Sequence, residues 1–176
     1  ANGAQVAIAT ELAVCGYPPR DLLLQPDFIS TSFETAKNLT VEIPVLVGTP
    51  IPPDHERNLP ANGVVRAGVL QAVPNKDNTN RVVAKKQLLP SYDVFDETRY
   101  FTPANRSGIC RSIGEIDLGI TICEDAWQAA GLTPSAYGQD PVASLAEWGR
   151  QGVSLDATVN LSASPYHADK VGSRIK

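Results

Sequence analysis

The sequence is poor in histidine. His55 and His167 are the only two among 176 residues, so a mechanism that needs a histidine base has few places to find one. Three cysteines, Cys15, Cys110 and Cys123, form an odd set without a CxxC spacing, which excludes the usual structural zinc patterns. We therefore expect no metal site, and we expect thiols that stay reduced, as in a cytoplasmic protein.

Long apolar runs and basic clusters are also missing. No stretch approaches the roughly 20 apolar residues that span a bilayer, and residues 1–5 contain neither the basic stretch nor the apolar core of a signal peptide. A net charge of −4 without a local basic cluster argues against nucleic acid as a partner. The hydrophobic fraction of 43% and charged fraction of 19% are those of a globular protein. We expect one domain with a sizeable core, and neither a membrane nor a nucleic acid as partner.

Short apolar runs alternate with helical patterns along the chain. We interpret the following residues as strands: 6–10, 44–48, 64–73, 81–86, 116–122 and 156–160. One helix begins at Pro26 and runs to about Leu39, and another begins at Pro141 with Asp140 as its N-cap. The turn-forming residues 75–80 join two of the strands into a hairpin. This order predicts an α/β protein with mixed strand directions.

Three chemically distinctive residues, Glu11, Lys86 and Cys123, lie at or just beyond the ends of predicted strands. In open α/β sheets, ligands bind outside the carboxyl ends of the strands. A thiol at such a place becomes a nucleophile only if its proton is removed or its pKa is lowered. Glu11 could take the proton, and Lys86 could stabilise a thiolate and an oxyanion. A buried structural cysteine, a loop-capping carboxylate and a solvated lysine remain the alternatives.

The segments around these residues resemble a known family. Residues 10–24, 86–101 and 122–127 resemble the segments that carry the catalytic Glu, Lys and Cys of the nitrilase superfamily, and residues 160–167 resemble its substrate-side strand and loop. More narrowly, all four look like the glutaminase domain of glutamine-dependent NAD⁺ synthetase, and they occur in the same order. The resemblance implies an α/β/β/α sandwich, in which residues 1–176 form a partial carbon–nitrogen hydrolase (glutamine amidohydrolase) domain, incomplete at both ends.

The resemblance also implies a mechanism. Glu11 deprotonates Cys123, and the sulfur attacks the side-chain amide of glutamine. Lys86 stabilises the tetrahedral oxyanion together with the backbone N–H of Glu124. Ammonia leaves, and water hydrolyses the thioester to glutamate.

Further residues are implied as substrate contacts. Tyr92 matches a position that contacts the bound glutamine, and Ser164 and Lys170 match positions that hold its α-carboxylate. Ser162 lies two residues before Ser164 on the same face of the strand, so the sequence leaves open which serine contacts the substrate.

Supporting roles are less sharply defined. Glu97 is either an additional active-site carboxylate that orients Lys86 or a structural partner of Arg99. Glu124 adjoins the nucleophile, and Trp127 either forms a wall of the pocket or packs in the core.

The resemblance implies glutamine and a synthetase domain as partners, and homo-oligomers as the usual assembly. The synthetase domain would use ATP and Mg²⁺ to consume the ammonia, whereas the glutaminase site needs no cofactor. The sequence contains no pyrophosphatase loop of the Ser-Gly-Gly-x-Asp-Ser type, so we expect that domain to be absent from the chain. An unfinished sandwich predicts weak activity for the isolated chain. A stand-alone nitrilase-type amidase, or a non-catalytic module on a degenerate nitrilase fold, is the alternative.

Overall fold

The structure is a computed structural model that describes most of the chain. The described residues are 3–53, 65–74, 80–106, 108–113, 116–128, 131, 133, 137–165, 168 and 171–172, without the side chains of 109–112. None of the helices within these ranges is long and apolar enough to cross a bilayer.

The first sheet has four strands in the order β1-β2-β3-β4. Their bounds are Ala7–Ile8 for β1, Val45–Ile51 for β2, Arg66–Ala72 for β3 and Arg81–Lys85 for β4. β1 runs parallel to β2, whereas β2 and β4 both run antiparallel to β3. The predicted hairpin is therefore confirmed in its two strands, while residues 75–79 of its turn lie outside the described ranges.

The second sheet has three strands in the order β5-β6-β7. They are β5 (Gly108–Ile113), β6 (Ile116–Ile122) and β7 (Ala157–Leu161). β6 has the predicted bounds, and β7 is displaced by one residue from the prediction. The sequence pattern does not predict β5, because polar residues interrupt its apolar run. This strand forms through antiparallel pairing with β6, which is a tertiary effect that overrides local pattern.

The two helices agree with the sequence at their first residues. α1 (Pro26–Lys37) ends two residues before the predicted position. Asn80 contributes to this end, because its Nδ2 donates to the carbonyls of Lys37 at 2.9 Å and Leu39 at 3.1 Å. α2 (Pro141–Arg150) begins as predicted, and the side chain of Asp140 accepts a hydrogen bond from the N–H of Ala143 at 3.0 Å.

The helices and sheets form four layers, in the order α1, first sheet, second sheet, α2. Alternate residues of the strands face opposite sides. The core between the sheets consists of Leu46, Val69, Ala84, Ile113, Leu118, Ile120, Ile122 and Leu161. The layer between α1 and the first sheet consists of Phe33, Ala36, Val47, Ile51, Leu70 and Ala72. On the opposite side, Leu145 of α2 packs over Gly119 of β6. The fold is the α/β/β/α sandwich that the family resemblance implies.

The first predicted strand is much shorter than expected. Only Ala7–Ile8 pair with β2, and the chain then turns, with the N–H of Gly16 donating to the carbonyl of Leu12 at 2.8 Å. The turn lies directly on β2, because a Cβ at Gly48 would stand 2.3 Å from the backbone nitrogen of Leu12. Glu11 therefore occupies a turn beyond the end of β1, packed against the neighbouring strand.

Candidate active site

Lys86 is a buried cation directly after β4. Its backbone N–H donates to the carbonyl of Ala67 at 2.9 Å, which holds the residue beside β3. Its side chain is fully buried, and Nζ donates to Oε1 of Glu11 and to Oε1 of Glu97, each at 2.7 Å. A charge is tolerated in the interior when it is paired and hydrogen-bonded. The two carboxylates thus explain why this lysine is buried.

Glu11 has one oxygen engaged and one available. Its Oε1 accepts from Lys86, and the residue is 2% exposed. Its Oε2 is also buried, and it accepts no hydrogen bond from the part of the chain that the structure describes. A buried carboxylate oxygen without a donor can accept a proton from a neighbouring group, which is the first requirement of a general base.

Cys123 occupies a strained backbone position at the end of β6. It begins a short 3₁₀ helix, Cys123–Ala126, with a φ of +49° that few residues other than glycine adopt. Asn160 on β7 supports this conformation, since its Nδ2 donates to the carbonyl of Cys123 at 3.1 Å and to Oγ1 of Thr121 at 3.0 Å. Strain of this kind persists only where the surroundings determine it. The two parallel strands together fix the position of the sulfur.

Two serines after β7 contact the sulfur. Oγ of Ser162 lies 3.5 Å from Sγ of Cys123, Oγ of Ser164 lies 3.6 Å from it, and the two hydroxyls are 2.9 Å apart. The structure therefore brings both serines to the thiol, and which of them contacts the substrate stays a prediction.

The thiol is protonated at rest. Burial raises the pKa of Cys123 above its ordinary value, and the negative charge of Glu11 raises it further. The ammonium of Lys86 acts in the opposite direction, as do the hydrogen bonds to the serines, but the net shift is upward. Both charges are thus close enough to act on the sulfur, and a base is needed to form the thiolate.

Two carboxylates share the single ammonium. Burial alone would lower the pKa of Lys86, but the charges of Glu11 and Glu97 outweigh it, so the pKa lies above its ordinary value. Burial, and next to it the charge of Glu11, raises the pKa of Glu97 to about 7, although Lys86 opposes the shift. The phenol of Tyr17 also donates to Oε1 of Glu97 at 2.8 Å. Lys86 therefore stays charged, and Glu97 is the member of the cluster that titrates near neutrality.

A second buried carboxylate adjoins the nucleophile. Glu124 is 4% exposed and accepts hydrogen bonds from the phenols of two half-buried tyrosines. Tyr92 donates at 2.9 and 2.8 Å to its two oxygens, and Tyr137 donates at 3.2 Å to Oε1. Burial, together with the hydrogen bond and charge of Glu124, raises the pKa of both tyrosines. The phenols therefore remain protonated donors, and Glu124 supplies a negative charge beside Cys123.

The remaining predicted residues fall in different places. Glu97 bonds to Lys86, whereas Arg99 lies 3.6 Å from Asp21, so the pairing of Glu97 with Arg99 is not formed. Trp127 follows the 3₁₀ helix and is half-buried. Lys170 lies outside the described residues.

Sequence reasoning missed several polar partners of the site. Tyr17 and Tyr137 were not singled out, since a tyrosine in a loop gives no local sign of its partner. Asp125 lies within the segment 122–127 and was given no role of its own, yet it accepts three backbone hydrogen bonds at the site. A carboxylate two residues after a buried nucleophile is a signal that could have drawn attention to it.

Known proteins resemble this chain over nearly its whole length. The chain is 38% identical over 175 residues to a glutamine-dependent NAD⁺ synthetase of Synechocystis sp., an alignment that covers 97% of this chain and 30% of the relative. A glutamine-dependent NAD⁺ synthetase of Thermotoga maritima is 34% identical over 177 residues, in an alignment that covers 96% of this chain and 26% of the relative. The chain is homologous to glutamine-dependent NAD⁺ synthetases. It spans less than a third of the length of these relatives, and no family model matches it.

Solved structures give the same homology and the same fold. A glutamine-dependent NAD⁺ synthetase from Acinetobacter baumannii superposes with a TM-score of 0.69 at 25% identity, covering 98% of this chain and 28% of that one. An amidase from Nesterenkonia sp. AN1, solved with acrylamide added to its active-site cysteine, gives a TM-score of 0.62 at 16% identity, covering 97% and 58%. A structure of a cysteine-to-serine mutant of that amidase names it as a member of the nitrilase superfamily. This chain, which is homologous to synthetases, therefore has a nitrilase-like fold.

Proposed function

We propose that this site hydrolyses the side-chain amide of glutamine through a cysteine thioester. The ammonia would serve the ATP-dependent amidation of nicotinic acid adenine dinucleotide to NAD⁺ in the parent enzyme. The observation that carries the proposal is the buried Lys86 ammonium, which donates to Glu11 at 2.7 Å and whose positive charge favours the thiolate of Cys123. The homology to glutamine-dependent synthetases supports glutamine as the amide substrate.

The acylation step follows from these positions. Glu11 takes the thiol proton on its available Oε2, and the sulfur of Cys123 attacks the amide carbon, moving the carbonyl π electrons onto oxygen. Lys86 and the backbone N–H of Glu124 stabilise the oxyanion. When the oxyanion collapses, the C–N bond breaks and Glu11 returns the proton to nitrogen. Ammonia leaves, and a γ-glutamyl thioester remains.

The same groups serve deacylation. Glu11 removes a proton from water, and the resulting oxygen nucleophile attacks the thioester carbon. The C–S bond breaks, glutamate is released, and the sulfur recovers its proton from Glu11. No cofactor is needed at this site, because the thiol, the carboxylate, the ammonium and water account for every bond.

Charge complementarity favours an amino-acid amide over a simple one. Glutamine has an α-ammonium, and Glu124 offers a buried carboxylate next to the nucleophile, held by Tyr92 and Tyr137. The serine pair after β7 offers hydroxyls for the α-carboxylate, with Ser164 and Lys170 as the assigned contacts and Ser162 as an additional one. An uncharged amide would leave Glu124 buried without a counter-charge, which disfavours it.

The assignment extends to partners. Residues 1–176 would be part of a glutamine amidohydrolase domain, and a synthetase domain outside this chain would use ATP and Mg²⁺. Leu22, Leu24 and Val94 are each more than half exposed, and we propose that another domain or subunit covers them. A homo-oligomer in the cytoplasm is the assembly that we propose.

A diazo-ketone analogue of glutamine tests the function in the full-length protein. We expect one covalent adduct on Cys123, slowed by added glutamine, and loss of turnover in Cys123→Ala. Cys15 is the matched control, because burial raises the pKa of its thiol to about 11; Cys15→Ala should keep wild-type turnover and labelling.

A panel of amides completes the test. Glutamine should be hydrolysed with the highest kcat/KM. A strong preference for another small amide would replace the proposal by a stand-alone amidase. Labelling spread over all cysteines, with no amide hydrolysed, would indicate a non-catalytic module.

A further inference from the structure

Asp125 is a buried carboxylate that the proposed mechanism does not use. It is 1% exposed, and it lies in the 3₁₀ helix that Cys123 begins. Its Oδ1 accepts from the backbone N–H groups of Gln87 at 3.0 Å and Leu88 at 2.8 Å, and its Oδ2 accepts from the N–H of Ile122 at 3.1 Å. One side chain therefore joins two segments that are far apart in sequence.

The donors adjoin the reactive residues on both sides. Gln87 and Leu88 directly follow Lys86 as the chain leaves β4 of the first sheet, and Ile122 directly precedes Cys123 at the end of β6 in the second sheet. The carboxylate thus ties together the backbones that carry the ammonium and the sulfur.

A neutral side chain could not make the same set of bonds. A carboxylate is an acceptor at both oxygens, whereas an amide has one acceptor and one donor. Burial raises the pKa of Asp125 to about 6, although the three N–H groups oppose the shift, so the group is ionised at neutral pH. Hydrogen bonds to a buried charge are among the stronger ones in proteins, and they act here across the junction of the two sheets.

We infer that Asp125 is a positioning residue that sets the distance between the Lys86 ammonium and the Cys123 sulfur. This inference rests on the proposed function, in which Lys86 must meet the oxyanion that forms beside the sulfur. A displacement of about 1 Å at such a site can lower the rate about 100-fold. The bonds of Asp125 prevent that displacement by fixing both backbones to one group.

Asp125→Asn in the full-length protein is the direct test. The amide retains the shape of the carboxylate but has only one oxygen acceptor. Its Nδ2, which is a donor, must face either the N–H of Ile122 or the N–H groups of Gln87 and Leu88. We expect turnover of glutamine per active site to fall about 100-fold, with KM changed far less. The rate constant for alkylation of Cys123 by iodoacetamide should fall as well, because a more distant ammonium stabilises the thiolate less.

Asp156→Asn is the matched control. Asp156 also accepts from a backbone N–H, that of Asp117 at 2.8 Å at the opposite end of β6, and it is exposed. The control should keep wild-type turnover and alkylation. The amplitude and the rate constant of alkylation distinguish misfolding from altered positioning. Unfolded protein changes the labelled fraction, whereas altered positioning changes the rate constant of the folded fraction.

Asp125→Glu covers the case in which the asparagine variant does not fold. It keeps the charge and both acceptors but adds one methylene between the two segments, so turnover per labelled site should fall at least about 10-fold. Wild-type turnover and alkylation rates in a folded Asp125 variant would overturn the inference. If the wild-type protein is alkylated at Cys123 but hydrolyses no glutamine, the proposed function fails, and the alkylation rates still decide the role of Asp125.

Discussion

Replacing Lys86 with methionine removes the ammonium and keeps an unbranched side chain of similar volume. Oε1 of Glu11 and Oε1 of Glu97 each lose a donor at 2.7 Å. The site loses its candidate oxyanion cation, and the interior keeps two carboxylates without a counter-charge. The variant should therefore lose both activity and stability, by amounts that separate measurements can assign.

The magnitudes follow from the burial of the cluster. Loss of one oxyanion donor lowers kcat about 100- to 1,000-fold. Breaking a buried ion pair from one side costs about 3–5 kcal/mol of unfolding free energy. That cost depends on pH, because the folded-state pKa of Glu97, already raised to about 7, rises further without the ammonium. A carboxyl whose pKa is higher in the folded state than in the unfolded state lowers the free energy of unfolding as the pH rises from the unfolded pKa to the folded pKa.

Urea unfolding at about pH 5 and about pH 8 checks the sign of this effect. The difference in unfolding free energy between wild type and Lys86→Met should be larger at the higher pH, where the Glu97 carboxyl must ionise. Lys85→Met is the control: Lys85 is the preceding residue and is only partly buried, so it should cost less than about 1 kcal/mol and leave glutamine hydrolysis unchanged. Equal losses at both pH values, or a Lys85 variant as impaired as the Lys86 variant, would refute the reasoning.

Two further substitutions test the supports of the cluster. In Gly48→Ala the new Cβ would lie 2.3 Å from the nitrogen of Leu12 and 2.5 Å from the carbonyl of Thr10, so the turn of Glu11 must move and turnover should fall about 100-fold. Gly149→Ala in α2 meets nothing within 4 Å; it should keep full turnover and raise the unfolding free energy by up to about 1 kcal/mol, and a comparable loss in both variants would contradict the argument. The pKa of Glu97 is raised from 4.5 to about 7, so its ionisation makes wild-type stability fall as the pH rises through that interval. Glu97→Gln should flatten the dependence of the urea midpoint on pH there, and an unchanged slope would assign the titration to another group.

Local pattern was sufficient for most of the fold. The apolar run of β6 ends at Ile122 in the sequence and in the structure, because a buried strand is bounded by the loss of apolar residues. The Asp140-Pro141 pair placed the first residue of α2, since a cap and a proline both act within one turn. β5 was missed because its formation depends on pairing with β6 rather than on its own composition.

The site was predictable as a set of residues and not as a network. Lys86 and Glu97 are 11 residues apart in sequence. The sequence alone equally allows Glu97 to pair with Arg99. Burial decides the matter: Lys86 is 1% exposed, whereas the side chain of Arg99 is 56% exposed. Bonds such as that from Tyr137 to Glu124 join separate loops, and no sequence period encodes them.

The reactive groups come from both sheets. Glu11 and Lys86, which are 75 residues apart in sequence, follow strands of the first sheet, and Cys123 follows a strand of the second. A chain in which one sheet has formed without the other has no assembled site. Under the proposed function, the return of glutamine turnover during refolding would therefore mark the joining of the two sheets. Until that step, Cys123 has not been brought to Glu11, the base that we propose.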